Sequence, residues 1–212
     1  MSSFFEKRVS SYEEHMRTEI AFASRFYSET AALLPLRPGI RLLDLGCGTG
    51  LELDEVFARC PQALATGVDL CPAMLERLRA KPYAGRLTLI EGSYFETDFG
   101  EECYDGAVSV ESLHHFTAEQ KAPLYRRLFA ALRPGGVYVE TDYAAADDRE
   151  EGFYFAEYAR LTQEAPAGKF HYDTPLTAEH TMALLRKAGF LEIRLHAKYE
   201  NTALIAAKKA EL

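Results

Sequence analysis

A glycine-rich turn follows a short apolar run in the first half of the chain. The run covers residues 42–45, and the turn is the GCGTG segment at residues 46–50. Glycine allows backbone angles and a close ligand approach that other residues prevent. Such a turn between a strand and a helix can hold a nucleotide-like ligand against the backbone. It predicts a small-molecule site but does not by itself choose the ligand.

Acidic residues near the turn separate the possible ligands. Dinucleotide-binding turns of the pattern G-x-G-x-x-G have Gly or Ala where this chain has Leu51. Asp44 precedes the turn, where a carboxylate disfavours a pyrophosphate and favours a cationic ligand. Asp69 follows the next apolar run and can accept hydrogen bonds from both hydroxyls of a ribose. Alternatively, the Asp69 carboxylate stabilises the N-terminus of a helix that begins near Pro72, through the helix dipole.

A second set of polar residues follows a later apolar run at residues 106–110. It contains Glu111 and the pair His114-His115. A neutral imidazole can take a proton from an incoming nucleophile, so His115 is a candidate catalytic base. Asp142 follows the next apolar run and is the second candidate, because we expect it to face the same space. The alternative for the histidines is packing or capping of the following loop.

No metal site is predicted from the spacing of possible ligands. His171 and Asp173 would have to join His115 and Asp142, and their spacing matches no zinc pattern. The cysteines are Cys47, Cys60, Cys71 and Cys103. They form no C-x-x-C pair, so we expect free thiols.

Alternating apolar runs and amphipathic segments must position these residues. Strands are predicted at residues 41–45, 64–69, 87–91, 106–110 and 137–141, with a final pair at 190–197 and 201–207. Helices are predicted at residues 12–34, 51–60, 72–80, 118–132 and 177–188, and residues 151–164 are compatible with another. Strands separated by helices favour a parallel sheet, whose ligands bind at the carboxyl ends of the strands.

The order and spacing of these motifs resemble the class I S-adenosylmethionine-dependent methyltransferases. The matching segments are residues 42–50, 67–70 with Met74, 91–94, 104–115 and 132–136. The resemblance implies a doubly wound, Rossmann-like, mostly parallel seven-stranded sheet with an antiparallel last strand. It also implies a helical N-terminal cap and an insertion after strand five. The implied cofactor is S-adenosyl-L-methionine, with S-adenosyl-L-homocysteine as product.

The resemblance also implies which residues bind the cofactor. They are Tyr12, Asp44, Gly46, Cys47, Gly48, Gly50, Asp69, Leu70, Met74, Gly92, Ser93, Tyr94 and Glu111. By resemblance, Met74 packs on the adenine and Glu111 reaches the methionine part. The family often has Asp where this chain has Ser93, whose hydroxyl is a weaker acceptor for the adenine amino group.

We expect one methyltransferase domain over residues 1–212. Its parts are a cap (1–36), a cofactor-binding core (37–141), a lid-like insertion (142–176) and a C-terminal helix with a strand pair (177–212). Aromatic residues of the insertion either close the substrate pocket or form a local hydrophobic cluster. They include Phe153, Tyr154, Tyr158, Phe170 and Tyr172.

The expected reaction is direct methyl transfer to a small-molecule acceptor. The alternatives are a tRNA or rRNA methyltransferase and a module that binds the cofactor without transferring a methyl group. A formal net charge of −8 disfavours a nucleic-acid partner. The chain shows no signal-peptide pattern and no apolar run of the ~18–20 residues that cross a bilayer. We expect a cytoplasmic monomer or homodimer with no membrane contact.

Overall fold

A seven-stranded sheet runs through the protein, for which the computed structural model describes residues 9, 12–164 and 172–211. The strands are β1 (Arg41–Leu45), β2 (Leu64–Asp69), β3 (Leu87–Glu91), β4 (Tyr104–Val110), β5 (Leu132–Tyr143), β6 (Glu192–Tyr199) and β7 (Thr202–Lys208). They lie in the order β3-β2-β1-β4-β5-β7-β6. β7 is antiparallel to both of its neighbours, and β1 to β5 pair in parallel. The predicted fold class is confirmed.

Helices cover both faces of this sheet. They are α1 (Tyr12–Thr18), α2 (Ala23–Leu33), α3 (Leu51–Arg59), α4 (Pro72–Arg79), α5 (Ala118–Ala131), α6 (Asp148–Glu164) and α7 (Ala178–Ala188). Successive side chains of β1 point to opposite faces. Leu42 therefore packs in the core beneath α1 to α4, whereas Leu43 packs in the core beneath α5 and α7. The parallel strands β1 to β5 end at the same edge of the sheet.

The predicted helix over residues 12–34 is wrong in one respect, because the structure has two helices there. The break lies before α2, at Phe22, whose φ of 62° is left-handed. A bulky residue seldom adopts this conformation, and no Gly or Pro marks the position in the sequence. The ring of Phe22 lies against that of Tyr199, with ring centroids 5.8 Å apart.

β5 begins at Leu132, earlier than the predicted start at residue 137. Leu132 pairs with Tyr104, and a register shift between Tyr104 and Gly106 accommodates the Arg-Pro-Gly-Gly segment that reads as a turn in the sequence. The strand is therefore longer than its apolar run, and it carries Asp142 close to its carboxyl end.

The described part of the insertion consists mainly of α6, which is fastened to the start of α7. Glu151 accepts a hydrogen bond from the Thr177 N–H at 2.6 Å and lies 2.9 Å from His180 Nδ1. Thr177 caps α7 as predicted, because its hydroxyl accepts from the His180 N–H at 3.2 Å. Gly189 ends the helix with a φ of 115°. Within the described ranges, every helix is too short or too polar to span a bilayer.

Candidate functional site

An open cleft lies at the carboxyl ends of β1, β2 and β4. The predicted site residues that line it are Tyr12, Gly46, Gly48, Asp69, Leu70, Met74, Ser93, Tyr94, Glu111 and His115. Cys47 and Gly50 border a smaller neighbouring pocket instead. Asp44, Gly92 and Asp142 are not part of either lining. The fold thus brings most of the predicted residues to one space.

The glycine turn between β1 and α3 needs its glycines for two reasons. Gly46, Gly48 and Gly50 have φ values of 75°, 48° and 78°, which favour glycine. A Cβ on Gly46 would lie 2.1 Å from Ser112 Oγ, so packing also requires glycine there. A Cβ on Gly48 would meet only a carbonyl oxygen at 3.9 Å. At Gly48 the free space belongs to the cleft, so a ligand can approach the backbone.

Asp69 stands at the end of β2 and links this turn to the next helix. One carboxylate oxygen accepts from the Cys71 N–H at 2.7 Å, and the other accepts from the Gly48 N–H at 2.9 Å. Burial raises the pKa of Asp69, and these two hydrogen bonds act in the opposite direction. A carboxylate has about four acceptor positions. About two remain, and they match the two hydroxyls of a ribose, although Asp69 also supports the start of α4.

The loop after β3 forms one wall of the cleft, and its contacts differ in detail from those predicted for Gly92 and Ser93. Ser93 Oγ accepts from the Phe95 N–H at 3.2 Å, so part of its hydrogen-bonding capacity is used within its own loop. Gly92 does not line the cleft, and its N–H donates to the Asp69 carbonyl oxygen at 2.9 Å. Met74 is buried at the cleft wall, as a residue packing on a base would be.

Two buried carboxyl groups lie beneath the glycine turn. Asp44 is fully buried, which differs from the expectation that it stands beside the ligand. Apart from the contact of these two carboxyl groups with each other, both oxygens of Asp44 and Glu52 Oε1 have no hydrogen-bond partner within the described part of the chain. Burial, and then the proximity of Glu52, raises the pKa of Asp44 well above its usual range. Burial raises the pKa of Glu52 to about 7.

Sequence reasoning missed Glu52. A glutamate in the first turn of a helix is favoured by the helix dipole and needs no further explanation. The sequence did contain one signal for the burial of Glu52. It stands between Leu51 and Leu53, which lie on the buried side of α3.

Glu111 marks the exit from β4 into the cleft. Its φ of 48° is left-handed, and such backbone strain clusters at functional sites. Its side chain accepts from the Thr202 hydroxyl at 3.0 Å. Burial and the nearby Asp142 raise the pKa of Glu111 to about 7.

Asp142 does not face the cleft, because it is buried behind the histidine pair. One oxygen lies 2.5 Å from His114 Nδ1, and the other accepts from the Leu113 N–H at 2.6 Å. Burial alone would raise the pKa of Asp142, but His114 lowers it below its usual range. The structure corrects the expected position of Asp142, which holds His114 rather than contacting the cleft.

His115 is the histidine that reaches the cleft lining. Its Nδ1 lies 2.9 Å from Asp173 Oδ1, and its ring centroid lies 3.8 Å from that of His114. His114, His115 and Asp173 place possible ligand atoms within 4.8 Å of one another, as do Glu111, His114 and Asp142. Carboxylate–imidazole contacts account for this arrangement without a metal ion. His171 lies outside the described residues.

Several aromatic residues of the insertion lie against one another, namely Tyr143, Phe153, Tyr154 and Tyr172. The hydroxyls of Tyr143 and Tyr154 lie 2.5 Å apart, and the rings of Tyr154 and Tyr172 lie 6.2 Å apart. The cleft lining includes none of these side chains but does include Phe95 and Phe116. Phe153 is 60% exposed, and Phe170 lies outside the described residues. The described geometry favours the local-cluster alternative.

The strand order and the cleft define an α/β protein with an open cleft at the carboxyl edge of a doubly wound sheet. A family described as "Methyltransferase domain" matches residues 42–136. A 24-methylenesterol C-methyltransferase 2 of Oryza sativa subsp. japonica is 32% identical, with 57% of this chain and 34% of the relative covered. A carboxy-S-adenosyl-L-methionine synthase of Wolinella succinogenes is 26% identical, with 98% of this chain and 93% of the relative covered.

A solved structure shares the fold. Human N-acetylserotonin methyltransferase in complex with S-adenosylmethionine superposes with a TM-score of 0.65 at 19% identity, with 89% of this chain and 52% of that chain covered. The chain spans about a third to somewhat over half the length of several curated relatives. Residues 42–136 match the methyltransferase-domain family, and the chain is similar in sequence and fold to S-adenosylmethionine-dependent methyltransferases.

Proposed function

We propose that this protein transfers a methyl group from S-adenosylmethionine to a small-molecule acceptor. One observation carries the proposal. Asp69 accepts a hydrogen bond from the Gly48 N–H, and the space above the Gly48 backbone is open to the cleft. Asp69 binds the ribose, Met74 packs on the adenine, and Glu111 lies toward the methionine part. When bound, S-adenosylmethionine supplies a methyl group on a sulfonium, which needs no further activation. The chain then has to align the acceptor and exclude water.

The acceptor side is built around His115. Asp173 holds the His115 ring in place through Nδ1, and the ring lines the cleft beside Phe116. We assign His115 the task of taking the acceptor's proton. Asp142 is a positioning residue for this task, because it holds the neighbouring His114. The apolar rings of Phe95 and Phe116 favour an acceptor with an apolar part.

The donor site is tested with Asp69→Ala. The variant should bind S-adenosylhomocysteine at least tenfold more weakly in calorimetry, because it loses the ribose contacts. Asp98→Ala is the matched control, because the exposed Asp98 makes the same short-range bond to the Gly100 N–H away from the cleft. Unchanged affinity of Asp69→Ala would refute the site assignment. Formation of S-adenosylhomocysteine with a panel of acceptors tests the transfer itself.

A second candidate function is chemistry on the cofactor itself, without methyl transfer to an acceptor. It is favoured by the Wolinella relative, which aligns over nearly the whole of both chains. Tight cofactor binding without S-adenosylhomocysteine formation across a broad acceptor panel would support it. A tRNA or rRNA acceptor would instead show salt-dependent RNA binding.

We further propose a cytoplasmic protein that works as a monomer or homodimer. Charged residues along the edge strand β6 support a monomer, because charges on an edge strand oppose pairing with another chain. Sedimentation measurements distinguish the two states.

A further inference from the structure

The buried carboxyl groups of Asp44 and Glu52 lie against each other, and apart from that contact neither Asp44 oxygen nor Glu52 Oε1 has a hydrogen-bond partner among the described residues. Asp44 is 0% exposed and Glu52 is 5% exposed. A buried charge without a partner is costly, so an isolated carboxyl group either holds a proton or awaits a cation. Glu52 borders a small pocket that shares Tyr12, Gly46 and Gly48 with the main cleft. The pair is therefore connected to the place where the donor binds.

The groups around this pair supply no positive charge. The titratable neighbours are Tyr12, Tyr27, Cys47, Asp54, Asp69 and Tyr83. Arg17 and Lys81 both pair with Asp54 instead. Further acids near the pair oppose its ionisation. Two adjacent carboxyl groups in this setting can share one proton.

We propose that the Asp44–Glu52 pair holds a proton in the ligand-free protein and releases it when the α-ammonium group of the methyl donor reaches Glu52. The proton passes to solvent as the ammonium enters, so the local charge stays balanced. The inference rests on the proposed function, because it takes the ligand to be an adenosine with an attached amino acid. It adds Glu52 to the donor-binding residues and makes donor binding a proton-releasing event.

Two ligands separate this role from general stabilisation of the site. S-adenosylhomocysteine carries the ammonium group, whereas 5′-deoxy-5′-methylthioadenosine has the adenosine and thioether but no amino acid. Glu52→Gln should weaken binding of S-adenosylhomocysteine at least tenfold and leave binding of methylthioadenosine within about twofold. Glu55→Gln is the matched control, because Glu55 lies on the same helix in a surface ion pair with Arg59.

Proton release is measured on the unaltered protein, so this test does not depend on a variant that folds. Calorimetric titrations near pH 6.5 in buffers of different ionisation enthalpy report the number of protons released. We expect up to about one proton per S-adenosylhomocysteine bound and none per methylthioadenosine. Glu52→Gln should reduce the proton release.

The outcomes distinguish this inference from the proposed function. Equal weakening of both ligands by Glu52→Gln, unchanged binding of both, or absence of proton release would overturn the inference. Failure of the wild-type protein to bind S-adenosylhomocysteine would overturn both. Proton-coupled binding without methyl transfer to any acceptor would overturn the proposed function alone.

Discussion

Gly48 and Gly39 share a left-handed backbone but differ in what surrounds them. Their φ values are 48° and 77°, and neither has a protein atom close enough to clash with an added Cβ. Alanine at either position should therefore cost about 1–2 kcal/mol of stability through backbone strain alone. Only Gly48 lines the cleft. We expect Gly48→Ala to weaken S-adenosylhomocysteine binding at least tenfold and Gly39→Ala to leave it unchanged.

Thermal melts and ligand titrations of the two variants check this prediction. Equal binding losses would show that strain in the fold, rather than the space above Gly48, controls affinity.

Glu52 gives a pH-dependent prediction about stability. Its pKa is raised from 4.5 to about 7 in the folded protein. The unfolded chain therefore loses this proton first, and stability falls as the pH rises from about 4.5 through 7. Glu52→Gln cannot ionise, so it should be more stable than wild type at pH 8, by up to about 3 kcal/mol, and nearly equal at pH 5. Melting curves from pH 5 to 8 test this, and a constant offset at every pH would contradict it.

Individual residues also show where sequence reasoning stops. The positions of Asp69 and His115 at strand exits follow from the order of the strands. The side-chain direction of Asp142 does not, because neighbouring residues of a strand point to opposite faces and the apolar run does not tell which face opens on the cleft. Thr141 bonds Thr30 of α2 at 2.5 Å, whereas Asp142 turns to His114.

At the scale of elements, the sequence predicts the parallel strands well. β1, β2 and β3 have their predicted bounds, because each is a short apolar run between turn residues. The break between α1 and α2 could not be predicted, since it depends on tertiary contacts of Phe22 rather than on a helix-breaking residue.

The N-cap of α7 carries a prediction at this scale. Thr177→Ala should cost about 1 kcal/mol, because the His180 N–H loses its acceptor, and Thr177→Ser should restore most of it. Thr162→Ala is the control variant, because the Thr162 hydroxyl donates to backbone carbonyl oxygens on the exposed face of α6 and caps no helix. Urea denaturation measures these differences. A loss at Thr162 as large as that at Thr177 would contradict the capping role.

For the whole molecule, donor binding should stabilise the fold. The site takes residues from the ends of β1, β2 and β4 and from α1, so unfolding must release the ligand. S-adenosylhomocysteine at 100 times its dissociation constant should add about 2.7 kcal/mol, seen as a raised melting temperature. NAD should produce no shift, because Leu51 replaces the third glycine of the dinucleotide turn. A comparable shift with NAD would contradict the choice of donor.

The place of β7 in the sheet has a consequence for synthesis on the ribosome. β7 follows β6 in the chain but lies between β5 and β6. Until it emerges, the long strand β5 keeps an unpaired edge while β1 to β4 are already complete. Unpaired edges recruit other chains, so nascent copies on neighbouring ribosomes are at risk of joining through β5. A chain interrupted before Thr202 is therefore expected to aggregate and to depend on chaperones.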